Sequence, residues 1–131
     1  MIPGQYAPYV YSVFRMVFGL LFLQHGLQKA GMFGGMPGFT GPVPLDSLFG
    51  AAGVIECAAG TMILLGLYTR PAAFIASGMM AYAYFTAHLP NGLWPIVNRG
   101  EPAVMNCFAF LYMAARGSGP VSLDALLGRK A

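Results

Sequence analysis

Two ionisable side chains stand inside long apolar stretches of this sequence, Arg15 in the first and Glu56 in the second. Only 8% of the 131 residues are charged, and 57% are hydrophobic, where soluble domains carry roughly 25% charged residues. A water-soluble fold of this length could not hide so much apolar surface, so the bilayer is the expected solvent. In hydrocarbon an ionisable group is expensive unless it faces a partner, a cavity or water. The two charges therefore predict a helical bundle with a polar interior.

The apolar runs predict four helices, at about 8–30, 46–68, 71–89 and 102–115. The first three approach the roughly 20 residues that cross a bilayer. Pro71 and Pro102 suit first-turn positions, where no N–H is needed. Asp46 is a candidate cap for the second helix and Gly117 a stop for the fourth. The fourth run covers only about 20 Å, which predicts a recessed polar pocket near Arg99 and Glu101. Ser122 can cap a short helix bearing Leu123, Leu126 and Leu127, so 121–131 reads as an interfacial tail. The expected architecture over 1–131 is an all-α membrane protein in one domain, a four-transmembrane-helix bundle with a short C-terminal interfacial helix. No convincing signal peptide is seen at the N-terminus. The uncharged segment 31–45, with Met32, Phe33, Met36 and Phe39, reads either as a lid on the helix ends or as a surface anchor.

Basic residues near the helix ends place Arg70, Arg116, Arg129 and Lys130 on one side, Lys29 and Arg99 on the other. This balance favours both termini in the cytoplasm of a bacterial inner-membrane protein. The net charge of +3 is scattered and gives no basic stripe for nucleic acid. Cys57 and Cys107 lie in separate segments without a Cys-x-x-Cys pattern and read as small contact residues.

Two constellations could carry function. Ala52, Gly53, Ala59 and Gly60 surround Glu56 on one helical face, so Glu56 should point at a neighbouring helix. Arg15 is its expected partner in a buried ion pair, either structural or part of a proton or ligand path. The second gathers at the outward end: His25, Gln28, Lys29, His88, Trp94, Arg99, Glu101 and Asn106. Arg15, His25 and Lys29 fall within an arc of about 80° and could line one groove. Such residues suit a quinone headgroup, with histidine able to move protons. His25 and His88 are also candidate haem ligands, a disfavoured reading because no third ligand pattern accompanies them. No metal site and no intrinsic cofactor are expected.

The ordered pieces Arg15, Gly19-Leu20-Leu21-Phe22, His25-Gly26-Leu27-Gln28-Lys29, Glu56 with Gly60, Leu64 to Ala73, His88, Asn98 to Glu101, and Gly117 to Asp124 are familiar. Along nearly its whole length the chain resembles the DoxX family of small bacterial membrane proteins. The resemblance implies a four-helix membrane bundle and a link to thiosulfate:quinone oxidoreductase or other membrane redox assemblies. The expectation is a membrane subunit of quinone-linked redox machinery, binding a quinone-like ligand or docking an oxidoreductase at the outward end, rather than a stand-alone enzyme. The alternative is a structural subunit of a larger membrane complex, a homo-oligomer included. Phe14, Phe18, Phe22, Phe108 and Phe110 would then face lipid, and Ala72 and Ala76 would form contact faces. A small-solute transporter is the least favoured reading.

Overall fold

The computed structural model describes residues 1–130, and among them every regular element is helical. A 3-10 turn at Gly4–Tyr6 leads into α1 (Ala7–Lys29). A long turn-rich segment then reaches α2 (Leu48–Leu65), and a tight left-handed turn at Gly66 leads to α3 (Thr69–Ala83). α3 runs on through a π-helical turn (Tyr84–His88) and a 3-10 turn (Leu89–Asn91). After them come a single-turn helix, α4 (Pro95–Asn98), then α5 (Glu101–Arg116) and the short α6 (Leu123–Leu126). α1 pairs with α2, α3 pairs with α5, and α2 joins the two pairs through α3.

The α1–α2 contact follows from a repeat in the sequence. Along α1, Ser12, Arg15, Gly19, Phe22 and Gly26 are buried, spaced alternately three and four apart. α2 answers with Gly53, Glu56, Gly60 and Ile63 in the same spacing. This is the heptad seam of a left-handed helix crossing, with small residues that bring backbones together. A methyl group added at Gly26 would lie 2.6 Å from Cys57 Sγ and 2.7 Å from its backbone nitrogen. One at Gly60 would lie 2.7 Å from the backbone nitrogen of Leu23. Gly26→Ala is therefore expected to force the helices apart and lower stability by about 1–3 kcal/mol. Unfolding in mild detergent measures this, and an unchanged midpoint would refute the close crossing.

The same contacts fix the antiparallel register. Gly19 meets Leu64, Gly60 meets Leu23, Gly26 meets Cys57 and Gly53 meets Lys29. Arg15 thus lies level with the turn beyond α2, and Glu56 lies level with the last turns of α1. At 1.5 Å per residue the two are separated by roughly 18 Å along the axis. The predicted Arg15–Glu56 pair does not form.

Surface and interior carry inverted chemistry. Val13, Val17, Leu20 and Leu21 of α1, Val54 of α2, Phe74 and Ile75 of α3, and Met105, Phe108 and Leu111 of α5 are all exposed. Buried positions include Ser12, Arg15, Glu56, Thr69 and Ser77. Such an apolar exterior suits hydrocarbon rather than water. α1, together with its leading turn, and α2 are both long and apolar enough to cross a membrane. Phe22 and Phe110 correct the expected lipid-facing set. Both are buried, 4.8 Å apart between ring centres, and they join α1 to α5. Ala72 and Ala76 are buried as contact residues.

The helix ends refine three expectations. Ser47, not Asp46, caps α2, its hydroxyl accepting from Gly50 N–H at 3.0 Å. Its backbone is extended, as a cap residue requires. Gly117 closes α5 at φ 91°. Ser122 caps α6, accepting from Ala125 N–H at 3.1 Å. Within the tail Ser122 and Asp124 are buried against the bundle, and Leu126 and Leu127 are exposed. In the 31–45 segment Met32, Phe33 and Phe39 are exposed and only Val43 is buried, its N–H bonded to Lys29 O at 2.8 Å.

Candidate functional site

At one end of the bundle Arg15 is wholly buried and spends its charge on carbonyl groups. Its Nε donates to Ser118 O at 2.8 Å and its Nη2 to Val121 O at 2.5 Å. Its Nη1 donates to Ile63 O and, at 2.8 Å, to Leu64 O. Ile63 and Leu64 lie in the last turn of α2, where carbonyls lack helical partners and the dipole is negative. Arg15 therefore caps α2 and pins the C-terminal segment across it. Gly66 makes room, since a methyl there would lie 2.9 Å from the guanidinium carbon. Tyr11 donates to Gly117 O at 2.5 Å, and Ser12 accepts from Val121 N–H at 3.3 Å. Arg70 does for α5 what Arg15 does for α2, donating to Ala115 O at 2.5 Å.

Asp124 completes this clasp. Ser118 donates to its Oδ2 at 2.6 Å. Burial pushes the Asp124 carboxyl up, but the Ser118 hydroxyl, the backbone N–H groups of Tyr68 and Thr69 and the Arg129 guanidinium outweigh it and hold the group below the usual carboxylate range. A lowered folded-state pKa stabilises above the unfolded value, and the contribution vanishes as pH falls through the folded value. Protection of the tail against protease is expected to stay flat from neutral pH down to about 4 and to be lost below it. Loss beginning between pH 6 and 7 would contradict this assignment.

The opposite end holds the second buried charge. Lys29, the last residue of α1, donates to both oxygens of Glu56 at 3.0 and 2.7 Å. Its stem lies over Gly53, whose missing side chain leaves the space, with Lys29 Cβ 3.2 Å from where a methyl would sit. The side chains are 15% and 6% exposed, so the bond is shielded and charge-assisted. The pair forms part of the wall of a groove of about 580 Å³ between α2 and α3. Phe49, Ile55, Ile75, Met79 and Met80 supply apolar wall, and Tyr82 and Thr86 lie along it. This volume falls in the roughly 300–1,000 Å³ range of small-molecule sites, which are mostly apolar with few polar groups. The groove borders the π-helical turn, an element that recurs at functional sites.

The remaining candidates disperse. His25 is exposed and lines a shallow recess with Gln24, Gln28 and Phe33. It falls one residue off the heptad seam, so Arg15, His25 and Lys29 do not line one groove. His88 is half-buried, stacked on Tyr84 with ring centres 6.4 Å apart, its Nδ1 3.1 Å from Asn98 O. Asn98 in turn donates to Gly92 O at 2.8 Å and accepts from Gly100 N–H at 2.8 Å. His88 thus belongs to the bonding that shapes the α3–α5 connection, and the two histidines have separate surroundings. Trp94, Arg99 and Glu101 are exposed, and Asn106 donates to Pro102 O in its own helix at 2.7 Å. Among the described residues, no cluster of three or more His, Cys, Asp or Glu side chains could hold a metal. Cys57 and Cys107 are free thiols.

An apolar exterior, polar side chains turned inward and long apolar helices define a helical membrane protein. Residues 10–89 match the DoxX family. The chain belongs to that family. It is 41% identical over 124 residues to an uncharacterized protein of Haemophilus influenzae, covering 92% of each chain. It is 29% identical to the inner membrane protein YphA of Escherichia coli, covering 92% of each. An uncharacterized membrane protein of Mycobacterium tuberculosis is also 29% identical, with 89% of this chain and 80% of that one covered. No solved structure matches.

Sequence reasoning selected Arg15, Lys29 and Glu56 but missed what surrounds them. Ile75, Met79 and Met80 were not singled out, since nothing in the sequence separates them from other apolar residues. Ser118 and Asp124 lie in the Gly117–Asp124 string, whose glycine–proline turns were a visible signal of backbone carbonyls left without helical partners.

Proposed function

We propose that this chain is a four-helix membrane subunit of quinone-linked redox machinery, binding a quinone-like ligand in the groove between α2 and α3. α1, α2, α3 with its π-helical extension, and α5 are the proposed spans, with both termini cytoplasmic. The Lys29–Glu56 pair at the wall of an otherwise apolar groove carries the reading. A flat apolar ring with carbonyl oxygens needs apolar walls and one strong donor, and the Lys29 ammonium is that donor. Glu56 holds the ammonium in place through both of its oxygens. An oxidoreductase partner supplies the redox centre. This moves the proposed site away from His25, His88 and Glu101 to Lys29, Glu56 and the methionines of α3.

The test is purification in nanodiscs from native membrane, followed by solvent extraction, mass spectrometry and labelling with a photoreactive quinone analogue. The expected result is near-stoichiometric quinone and labelling concentrated at Met79, Met80 and α2. Absence of quinone, with labelling no higher than by a plain alkyl probe, overturns the proposal. A scaffold subunit is the rival. It is favoured by the carbonyl clasp of Arg15, which serves packing alone.

A further inference from the structure

The end of the bundle opposite the groove carries a recess beside the clasp, which shares Ser118 and Asp124 with it and which the proposed ligand does not use. It measures about 200 Å³ and is lined by Tyr68, Thr69, Arg70, Asp124, Arg129 and Lys130, with Pro71 and Ser118. Asp124 is 4% exposed, and among the described residues its Oδ1 accepts no hydrogen bond of good geometry, although the N–H groups of Tyr68 and Thr69 lie near the carboxyl. Arg129 Nη1 stays 3.8 Å from it, beyond hydrogen-bonding distance. Arg129 is instead drawn over the Tyr68 ring, 4.4 Å from its centre. A buried carboxylate oxygen without a donor is costly. Three basic side chains surround the same recess.

These two facts select the ligand. A simple anion would suit Arg70, Arg129 and Lys130 but would confront Asp124. A simple cation would suit Asp124 but would meet three positive charges. A molecule with an ammonium group a few ångströms from a phosphate satisfies both. Phe74 stands exposed on α3 one turn beyond Arg70, which lines the recess, and on the same helix face. An acyl chain can lie there.

We infer that this recess binds the headgroup of a phosphatidylethanolamine, its ammonium donating to Asp124 Oδ1 and its phosphate held by Arg70, Arg129 and Lys130. The lipid would pack against the tail segment and reinforce the clasp. Phosphatidylcholine carries the same charges but no N–H, so it separates hydrogen bonding from plain electrostatics. Phosphatidylglycerol carries the phosphate without the ammonium.

The test is native mass spectrometry of the full chain in detergent, titrated with each of the three lipids. The expected result is a preference of about tenfold for phosphatidylethanolamine over both others. Asp124→Asn is expected to erase that preference. Should that variant unfold, the ranking of lipids on the unmodified chain still decides. The double variant Arg129→Gln/Lys130→Gln, in the exposed end of the tail, is expected to weaken phosphatidylethanolamine and phosphatidylglycerol alike. Equal binding of phosphatidylethanolamine and phosphatidylcholine overturns the proposal, as does tighter binding of phosphatidylglycerol. Full competition by equimolar free phosphoethanolamine would show that the acyl chain has no part and would overturn the lipid assignment.

Discussion

Arg15→Met is expected to lower stability by about 4 kcal/mol or more, the largest effect of any single substitution in this chain. The guanidinium donates to Ile63, Leu64, Ser118 and Val121, all through backbone oxygens. Methionine fills much of the volume but leaves the carbonyls of Leu64, Ser118 and Val121 without this donor, and Ile63 O with the Gly66 N–H alone. Two of them end α2, so the dipole of that helix also loses its counter-charge. The others hold the tail, and protease should then cut near Gly117–Val121 in the variant. Arg15→Lys should recover little, because a single ammonium cannot span four acceptors as a planar fork does. The cycle with Glu56→Gln is the discriminating control. If the two residues lie at opposite ends of the α1–α2 seam, their effects should add to within about 0.5 kcal/mol. Equilibrium unfolding in a mild detergent measures Arg15→Lys and the two single variants and the double variant of the cycle. A coupling well above that would revive the Arg15–Glu56 pair and contradict the register.

That register is where the sequence stops being legible. The apolar runs, with their proline and glycine punctuation, point to helices, and α1, α2, α3 and α5 lie along those runs, with α3 giving way to π-helical and 3-10 turns after Ala83. Glu56 was readable as helix-facing from its small neighbours, and this holds because Gly53 and Gly60 are the residues that admit α1. Its partner was not readable. Both Arg15 and Lys29 lie on the α1 seam, and which of them meets Glu56 depends on how far α2 slides along α1. The intervening segment of some eighteen residues does not fix that slide; the close approach of Gly19 to Leu64 and Gly26 to Cys57 does. His25 illustrates the same limit at finer scale. A wheel of 100° per residue puts it near Arg15 and Lys29, but a supercoiled seam leaves it exposed. His88 was a candidate through its place at the end of the third apolar run, and the π-helical and 3-10 turns there set its ring against Tyr84 and Asn98.

The Lys29–Glu56 pair gives the second large expected effect, and it separates the two readings of function. Lys29→Met strands a carboxylate, and Glu56→Leu strands an ammonium, in a wall shielded from solvent. Each single change is expected to cost about 3 kcal/mol. Methionine keeps the stem that packs over Gly53, so little of this loss comes from packing. The double variant Lys29→Met/Glu56→Leu removes both charges and lines the groove with apolar atoms throughout. Its stability should return to within about 1 kcal/mol of the parent. Ligand binding should not return, because the only strong donor at the groove wall has gone. Co-extracted quinone, measured beside unfolding midpoints, reads both quantities in one set of preparations. Recovered stability without quinone is the outcome that the binding site requires. Recovered stability with the full complement of quinone, or with an intact host complex and no quinone even in the parent, would leave the pair as packing and make the chain a scaffold.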